Sequence, residues 1–139
     1  MTTRFAARLA VFTAGLILTA GVATADGTSL VDKPKDISEI MKKGHNGKKS
    51  LLAAIGNDLK NDKWDEVKKN AEVMKVYGET IGEFDPPKGD KASWKKMTEK
   101  YKEETADMFK AAEKKDAAGV DKVVKSIQNS CKGCHSAHK

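Results

Sequence analysis

The sequence is poor in cysteine, aromatic residues and arginine, and these shortages exclude several classes of protein. Only two of the 139 residues are cysteine, which excludes a small fold held together by several disulfides. Aromatic residues make up 6% of the chain and few lie among the lysines, so nucleic-acid binding has little support. No arginine follows Arg8. The chain also has no Gly-rich phosphate loop, no nucleophile elbow and no internal repeat.

The longest apolar run lies at the N-terminus and predicts a signal peptide. A cationic start with Arg4 and Arg8 precedes an apolar stretch over 9–22, and residues 23–25, Ala-Thr-Ala, have the small-x-small pattern that a signal peptidase cleaves. The stretch is shorter than the roughly 20 apolar residues of a membrane-spanning helix, so an uncleaved anchor is the weaker alternative. We expect residues 1–25 to be a cleavable secretory signal, 26–35 a flexible lead-in, and 36–139 one domain without stable membrane insertion after signal removal.

The apolar spacing beyond the lead-in predicts helices, because residues recur at steps of three and four with no sustained alternation. Helix caps and Gly or Pro clusters divide the domain into four segments. The predicted helices cover about 36–59, with a bend over 44–47, then about 63–83, 91–114 and 117–139. Four amphipathic helices with short links predict an all-α fold, an antiparallel up-down-up-down four-helix bundle.

The C-terminal helix carries the residues that indicate a chemistry. Cys131, Cys134 and His135 form the pattern C-x-x-C-H, which is the attachment motif of c-type haem. Positions three apart share a helix face, so both thiols can add to vinyl groups at one edge of the ring. His135 can then ligate the iron, and Gly133 reduces crowding where the porphyrin approaches. We therefore expect one covalent haem c, with Cys131 and Cys134 as thioethers and His135 as the proximal ligand.

Three other interpretations of the motif stay open. The cysteines could form a redox disulfide, although such a pair usually follows a strand. They could bind zinc with His135 and His138, although a structural zinc site usually draws four ligands from two separated pairs. The motif could also be accidental. The export signal favours haem, which in bacteria is attached outside the cytoplasm.

The sixth iron position has two candidates near the start of the domain. Met41 lies within the first-helix stripe, and its thioether is a known axial ligand type. His45 lies one turn later, in the Gly-flanked bend. Each has a plainer interpretation, Met41 as core filling and His45 as an exposed residue beside two glycines. We interpret His138 as a surface or haem-edge residue, because it cannot bind the same iron as His135.

The helical pattern, the export signal and C-x-x-C-H at the C-terminus together resemble the cytochrome c prime class, including its low-spin relatives. The resemblance spans about 36–139, and its specific part is 131–135 with the basic Lys139 after it. It implies a four-helix bundle that encloses one haem held by Cys131 and Cys134, with His135 as the proximal ligand. It also matches Met41 to the Met ligand of low-spin members. The chain departs from the family in lacking a mature arginine and in having His138 where an aromatic residue is common.

These observations predict a periplasmic monohaem cytochrome that carries single electrons. Exposed lysines would steer transient docking to acidic redox partner proteins. The alternative is a five-coordinate haem protein that binds or buffers NO or CO. We expect no enzyme activity, because without mature arginine no distal His-Arg pair of a peroxidase can form. A homodimer is compatible with the resemblance, since relatives often dimerise through the first two helices.

Overall fold

The computed structural model describes residues 31–139, and every regular element within that range is helical. The predicted all-α class is therefore confirmed. The predicted signal peptide lies outside the described residues, as does the first half of the predicted lead-in. None of the described helices combines the length and apolar character needed to cross a membrane. The elements are α1 (Ile37–Ile40), a π-helical turn (Met41–His45), α2 (Leu51–Lys60), α3 (Trp64–Ile81), α4 (Lys91–Glu113) and α5 (Ala117–His138).

The first predicted helix is interrupted, as its two glycines suggested. α1 begins after Asp36, whose side chain accepts a hydrogen bond from the Glu39 amide, and it passes directly into the π-helical turn. Gly47 then adopts φ +78°, a left-handed conformation that glycine reaches without a Cβ clash. The next helix, α2, begins after Ser50, whose side chain caps it by accepting a hydrogen bond from the Ala53 amide at 3.3 Å. The predicted bend is confirmed, but its π-helical form was not predicted.

The two longest helices, α4 and α5, begin after an aspartate that caps their first turn. Asp90 accepts from the Ser93 amide at 2.7 Å at the start of α4, and Asp116 accepts from the Gly119 amide at 3.0 Å at the start of α5. Between α3 and α4, Trp94 reaches back and donates from Nε1 to the Phe84 carbonyl at 2.8 Å. This bond ties the Pro-containing loop to α4.

The helices share one hydrophobic core. α3 packs against α2 and α4, while α5 packs against α4 and also contacts α2. Burying these apolar faces is the main favourable term in folding. The buried core residues come from every helix, and they are Ile40, Leu52, Ile55, Val67, Ala71, Met74, Val76, Tyr77, Ile81, Trp94, Met108, Ala112, Val120, Val124 and Ile127.

Candidate functional site

A cavity of about 320 Å³ lies beside the C-terminal motif. Segments that are far apart in the sequence meet there: the π-helical turn, the middle of α4 and the last turns of α5. All five predicted site residues line it, so the fold brings both faces of the predicted haem site together. The lining consists of Met41, His45, Ile81, Met97, Lys100, Tyr101, Glu104, Ile127, Ser130, Cys131, Gly133, Cys134 and His135. A larger groove of about 520 Å³ between α3 and α4 contains none of the predicted site residues.

α5 supplies one wall of the cavity. Cys131 and Cys134 are half-buried free thiols, and the Cys131 thiol donates to the Ile127 carbonyl at 3.3 Å. Burial raises the pKa of the Cys134 thiol, and the neighbouring Cys131 adds to that effect. His135 is exposed. A Cβ added to Gly133 would meet no other atom within 4 Å, so this side of the helix leaves room for a flat group.

The π-helical turn and α4 supply the polar part of the opposite wall. His45 Nε2 lies 2.9 Å from the hydroxyl oxygen of Tyr101, and the two rings are 5.5 Å apart. His45 Nδ1 is buried and has no hydrogen-bond partner within the described part of the chain. Burial, with a smaller effect of His135, lowers the pKa of His45 to about 4, so the imidazole is neutral at neutral pH. The interpretation of His45 as a solvent-exposed residue is therefore wrong.

Met41 lines the same cavity from the first residue of the turn. Its side chain is half-buried and packs against the hydrophobic core. This position is compatible with both interpretations of the residue, as core filling and as an axial ligand. Met41 and His45 are four residues apart and both contribute to the lining, so the turn presents two kinds of donor atom to one space.

Two charged side chains, Lys100 and Glu104, also line the cavity. The Glu104 side chain is only 14% exposed, and it accepts a hydrogen bond from the Ser126 hydroxyl at 2.6 Å. Lys100 Nζ lies 3.6 Å from the same carboxylate, with most of its side chain in solvent. A partly exposed pair of this kind adds little stability. The pair gives the cavity lining one cation and one anion in addition to its two histidines.

The residues fit a covalently attached haem. Two thiols and an imidazole on one helix are the donor set of c-type attachment, and a thioether or second imidazole on the far wall is a known sixth ligand type. Ile81, Met97 and Ile127 supply apolar surface. The orphaned His45 Nδ1 is a further sign that the cavity normally holds a group, since buried polar atoms are nearly always hydrogen-bonded.

The described residues are not arranged as a zinc site. Within 31–139, no three His, Cys, Asp or Glu side chains converge closely enough to hold a metal ion. His138, which would have been the fourth ligand, is bonded elsewhere: Nδ1 lies 3.1 Å from the Lys88 carbonyl oxygen and Nε2 lies 3.2 Å from the Ser93 hydroxyl.

His138 corrects one interpretation made from the sequence. It is 3% exposed and meets Trp94 edge-on with ring centres 5.3 Å apart, so it is neither a surface residue nor part of the cavity lining. The loop before α4 folds over the end of α5, where Gly89, at φ +86°, lies directly against the Ala137 carbonyl. Helical periodicity does not reveal such a long-range contact.

Tyr101 is a cavity residue that the sequence analysis did not single out. Helical spacing alone can place it no more precisely than on one face of α4. The structure adds a hydroxyl inside the cavity, and burial raises its pKa far above the usual range for tyrosine, so the phenol stays protonated. The hydrogen-bond partner of Tyr101 is His45, which lies 56 residues away, and no local pattern in the sequence reveals such a contact.

Residues 89–139 match the family model described as Cytochrome C'. The matched part contains α4, α5, the C-x-x-C-H motif and Tyr101, and it confirms the resemblance to the cytochrome c prime family there. The family implies a covalently bound c-type haem. Met41 and His45 lie outside the matched residues, so the match does not address the sixth ligand. No curated protein and no solved structure matches the chain significantly.

Proposed function

Because residues 89–139 match the cytochrome c prime family, we propose that this protein is an exported monohaem c-type cytochrome that carries single electrons and is not an enzyme. One observation carries the proposal: a single cavity joins the C-x-x-C-H face of α5 to two side chains of iron-ligand type on the π-helical turn. In this proposal, α2 to α5 and their short links form an antiparallel four-helix bundle around one haem.

The residues of α5 anchor the cofactor. Cys131 and Cys134 hold it through thioethers, and His135 provides the proximal imidazole. The haem supplies the one-electron couple when bound, and the protein tunes it through ligands, burial and hydrogen bonds. α5 is suited to hold its ligands still, because Asp116 caps its start and His138 fixes its end to the loop and to α4.

We assign the sixth position to Met41 and keep His45 as the alternative. A thioether gives up no strong hydrogen bond when it binds a metal, whereas His45 Nε2 is already engaged by Tyr101. A Met–His ligand pair raises the reduction potential of a c-type haem. Filling the sixth position makes the iron low-spin, which suits electron transfer.

The positive charge of the protein and its predicted export agree with a role as an electron carrier. The full chain carries a formal net charge of +6, which becomes +4 once the predicted signal with Arg4 and Arg8 is removed, and Lys100 extends into solvent at the cavity wall. Acidic redox partners would therefore be steered toward the protein and released quickly. Members of the family are generally exported, which agrees with the predicted signal over 1–25 and a periplasmic location. A homodimer is compatible with this role.

The second candidate function is binding or buffering of NO or CO. The observation that favours it is His45, a residue of the cavity lining whose buried Nδ1 atom has no partner among the described residues. This function requires that no side chain occupies the sixth coordination position of the iron.

Mass and absorption spectra of the exported protein test both candidates. We expect the mature chain to carry the added mass of one haem and to show sharp low-spin bands in the oxidised and reduced states. A mature chain without that mass, produced with a working maturation system, would refute haem attachment. A high-spin reduced form that takes up carbon monoxide would replace the electron-carrier assignment with gas binding.

A further inference from the structure

We propose that Tyr101 decides which side chain ligates the iron, by holding His45 out of the sixth position and leaving it to Met41. This inference rests on the proposed function. The starting observation is a redundancy: Met41 and His45 line one cavity, but a single coordination position accepts only one of them. Imidazole is the commonest protein ligand for transition metals, so some feature must restrain His45 if Met41 is to bind.

The hydrogen bond between Tyr101 and His45 provides that restraint. The phenolic oxygen and Nε2 are 2.9 Å apart, and the described residues offer the Tyr101 hydroxyl no other partner. Two arrangements are available. Either the hydroxyl donates to Nε2 and the ring proton sits on Nδ1, or Nε2–H donates to the phenolic oxygen and Nδ1 carries a lone pair.

Counting unsatisfied groups separates the two arrangements. If the hydroxyl donates, only the Nδ1–H group lacks a partner. If Nε2–H donates, both the hydroxyl proton and the Nδ1 lone pair are left without partners in a buried setting. Each unsatisfied buried group costs about 1–3 kcal/mol, so the first arrangement is favoured. In that arrangement neither nitrogen of His45 has a free lone pair, and a nitrogen without a lone pair does not ligate iron.

Removing the hydroxyl should therefore release His45. In Tyr101→Phe the ring keeps its bulk, but Nε2 loses its donor and regains a free lone pair. We expect imidazole to displace the Met41 thioether. Since a methionine ligand raises the potential, the midpoint potential should fall. Tyr101 is thus a positioning residue that acts through His45.

The experiment compares haem-loaded, exported wild type, Tyr101→Phe and the double variant Tyr101→Phe/His45→Phe. The readouts are the near-infrared charge-transfer band of a thioether–iron bond, the electron paramagnetic resonance signature of the axial ligands, and the midpoint potential. We expect the band in wild type, its loss with a lower potential in Tyr101→Phe, and its return in the double variant. Tyr77→Phe is the matched control, because it removes a tyrosine hydroxyl outside the cavity lining, and it should keep the wild-type spectrum.

Several results would overturn the inference. Tyr101→Phe with the wild-type band and potential would show that the hydroxyl restrains nothing. A double variant that fails to recover the band would show that the single change merely disturbs packing. Imidazole ligation or high-spin iron in the wild type would also reject it. Haem attachment is measured separately by mass. High-spin iron in the wild type would reject the electron-carrier proposal as well, whereas the other results reject only the role of Tyr101.

Discussion

At the end of α5, the buried His138 uses both ring nitrogens. The Lys88 carbonyl can only accept, so Nδ1–H donates to it, and Nε2 forms a hydrogen bond with the Ser93 hydroxyl. Both nitrogens therefore fix the ring in place, with its edge against Trp94. These contacts join the helix that carries the haem motif to the loop before α4.

Replacing His138 tests this join. We expect His138→Ala to lower the free energy of unfolding by about 2 kcal/mol, because two hydrogen bonds are lost and the ring leaves a gap beside Trp94. Urea unfolding of the haem-loaded protein, followed by circular dichroism, measures the change. Lys139→Ala, at the exposed next residue, is the matched control and should change stability by no more than about 0.5 kcal/mol. Equal urea midpoints for the two variants would contradict the assignment.

At the scale of the elements, the contact between α3 and α4 depends on a missing side chain. A Cβ at Gly78 would overlap the Thr105 hydroxyl and lie 3.1 Å from the Lys102 Cα atom. A hydroxyl can rotate away, but the backbone of α4 cannot move without separating the helices. Glycine is therefore required here for close packing, although it is an unfavourable residue in a helix.

Two glycine replacements should have opposite effects. Gly78→Ala is expected to destabilise the fold by about 1–3 kcal/mol through overpacking. Gly56→Ala, in α2, adds a methyl group where nothing lies within 4 Å and should stabilise by up to about 1 kcal/mol. Thermal unfolding of both variants beside the wild type measures the difference. If Gly78→Ala raises the midpoint as Gly56→Ala does, helix propensity and not packing governs Gly78.

The N-cap of α5 is a second element-scale feature. Asp116→Ala removes the acceptor for the Gly119 amide and should lower stability by about 1 kcal/mol. Asp116→Asn, which keeps an acceptor oxygen, serves as the control and should retain most of the stability. Urea titration resolves a difference of this size. An unchanged midpoint in Asp116→Ala would show that the cap does not limit the stability of α5.

The elements were largely predictable, because periodicity and caps are local properties of the sequence. α4 was expected over about 91–114 and runs over Lys91–Glu113, and the last helix was expected over about 117–139 and runs over Ala117–His138. The five predicted site residues meet because two helical stripes turn their faces toward one core. The roles of Tyr101 and His138 were not predictable, since their partners lie 56, 45 and 50 residues away and only the packed fold joins them.

At the scale of the whole molecule, the cavity is a part of the hydrophobic core that the protein's own side chains do not fill. The chain has few aromatic residues, and about 320 Å³ beside α5 is lined largely by apolar side chains. A bound haem would supply the absent packing surface. Stability and cofactor attachment should therefore be coupled.

Removing the attachment cysteines tests this coupling. We expect the Cys131→Ala/Cys134→Ala chain, purified without haem, to be less stable than the haem-loaded protein by on the order of 5 kcal/mol, because the cavity lining loses its packing partner. Urea unfolding followed by far-ultraviolet circular dichroism measures it. Haem-free wild type controls for the substitutions themselves. Identical urea midpoints with and without haem would show that the helices do not need the cofactor to pack.

The positive charge of the molecule leads to a kinetic prediction. Electron exchange with an acidic redox protein should slow by about tenfold or more as ionic strength rises from low salt to well above the physiological range, because salt screens the attraction. Stopped-flow absorption measures the rate. A neutral small-molecule reductant serves as the control, and its rate should change little. Salt-independent exchange with the acidic protein would reject electrostatic docking.

The number of residues in the π-helical turn determines which of its side chains line the cavity. Residues three or four apart share a helix face and residues two apart do not, so deleting two residues between Met41 and His45 would turn one of the two away from the other's face. Substitutions at the exposed Lys42 or Lys43 leave that geometry intact. A change that barely alters percentage identity would thus remove a candidate ligand. The sixth coordination position is therefore more sensitive to deletions in this turn than to substitutions at Lys42 or Lys43.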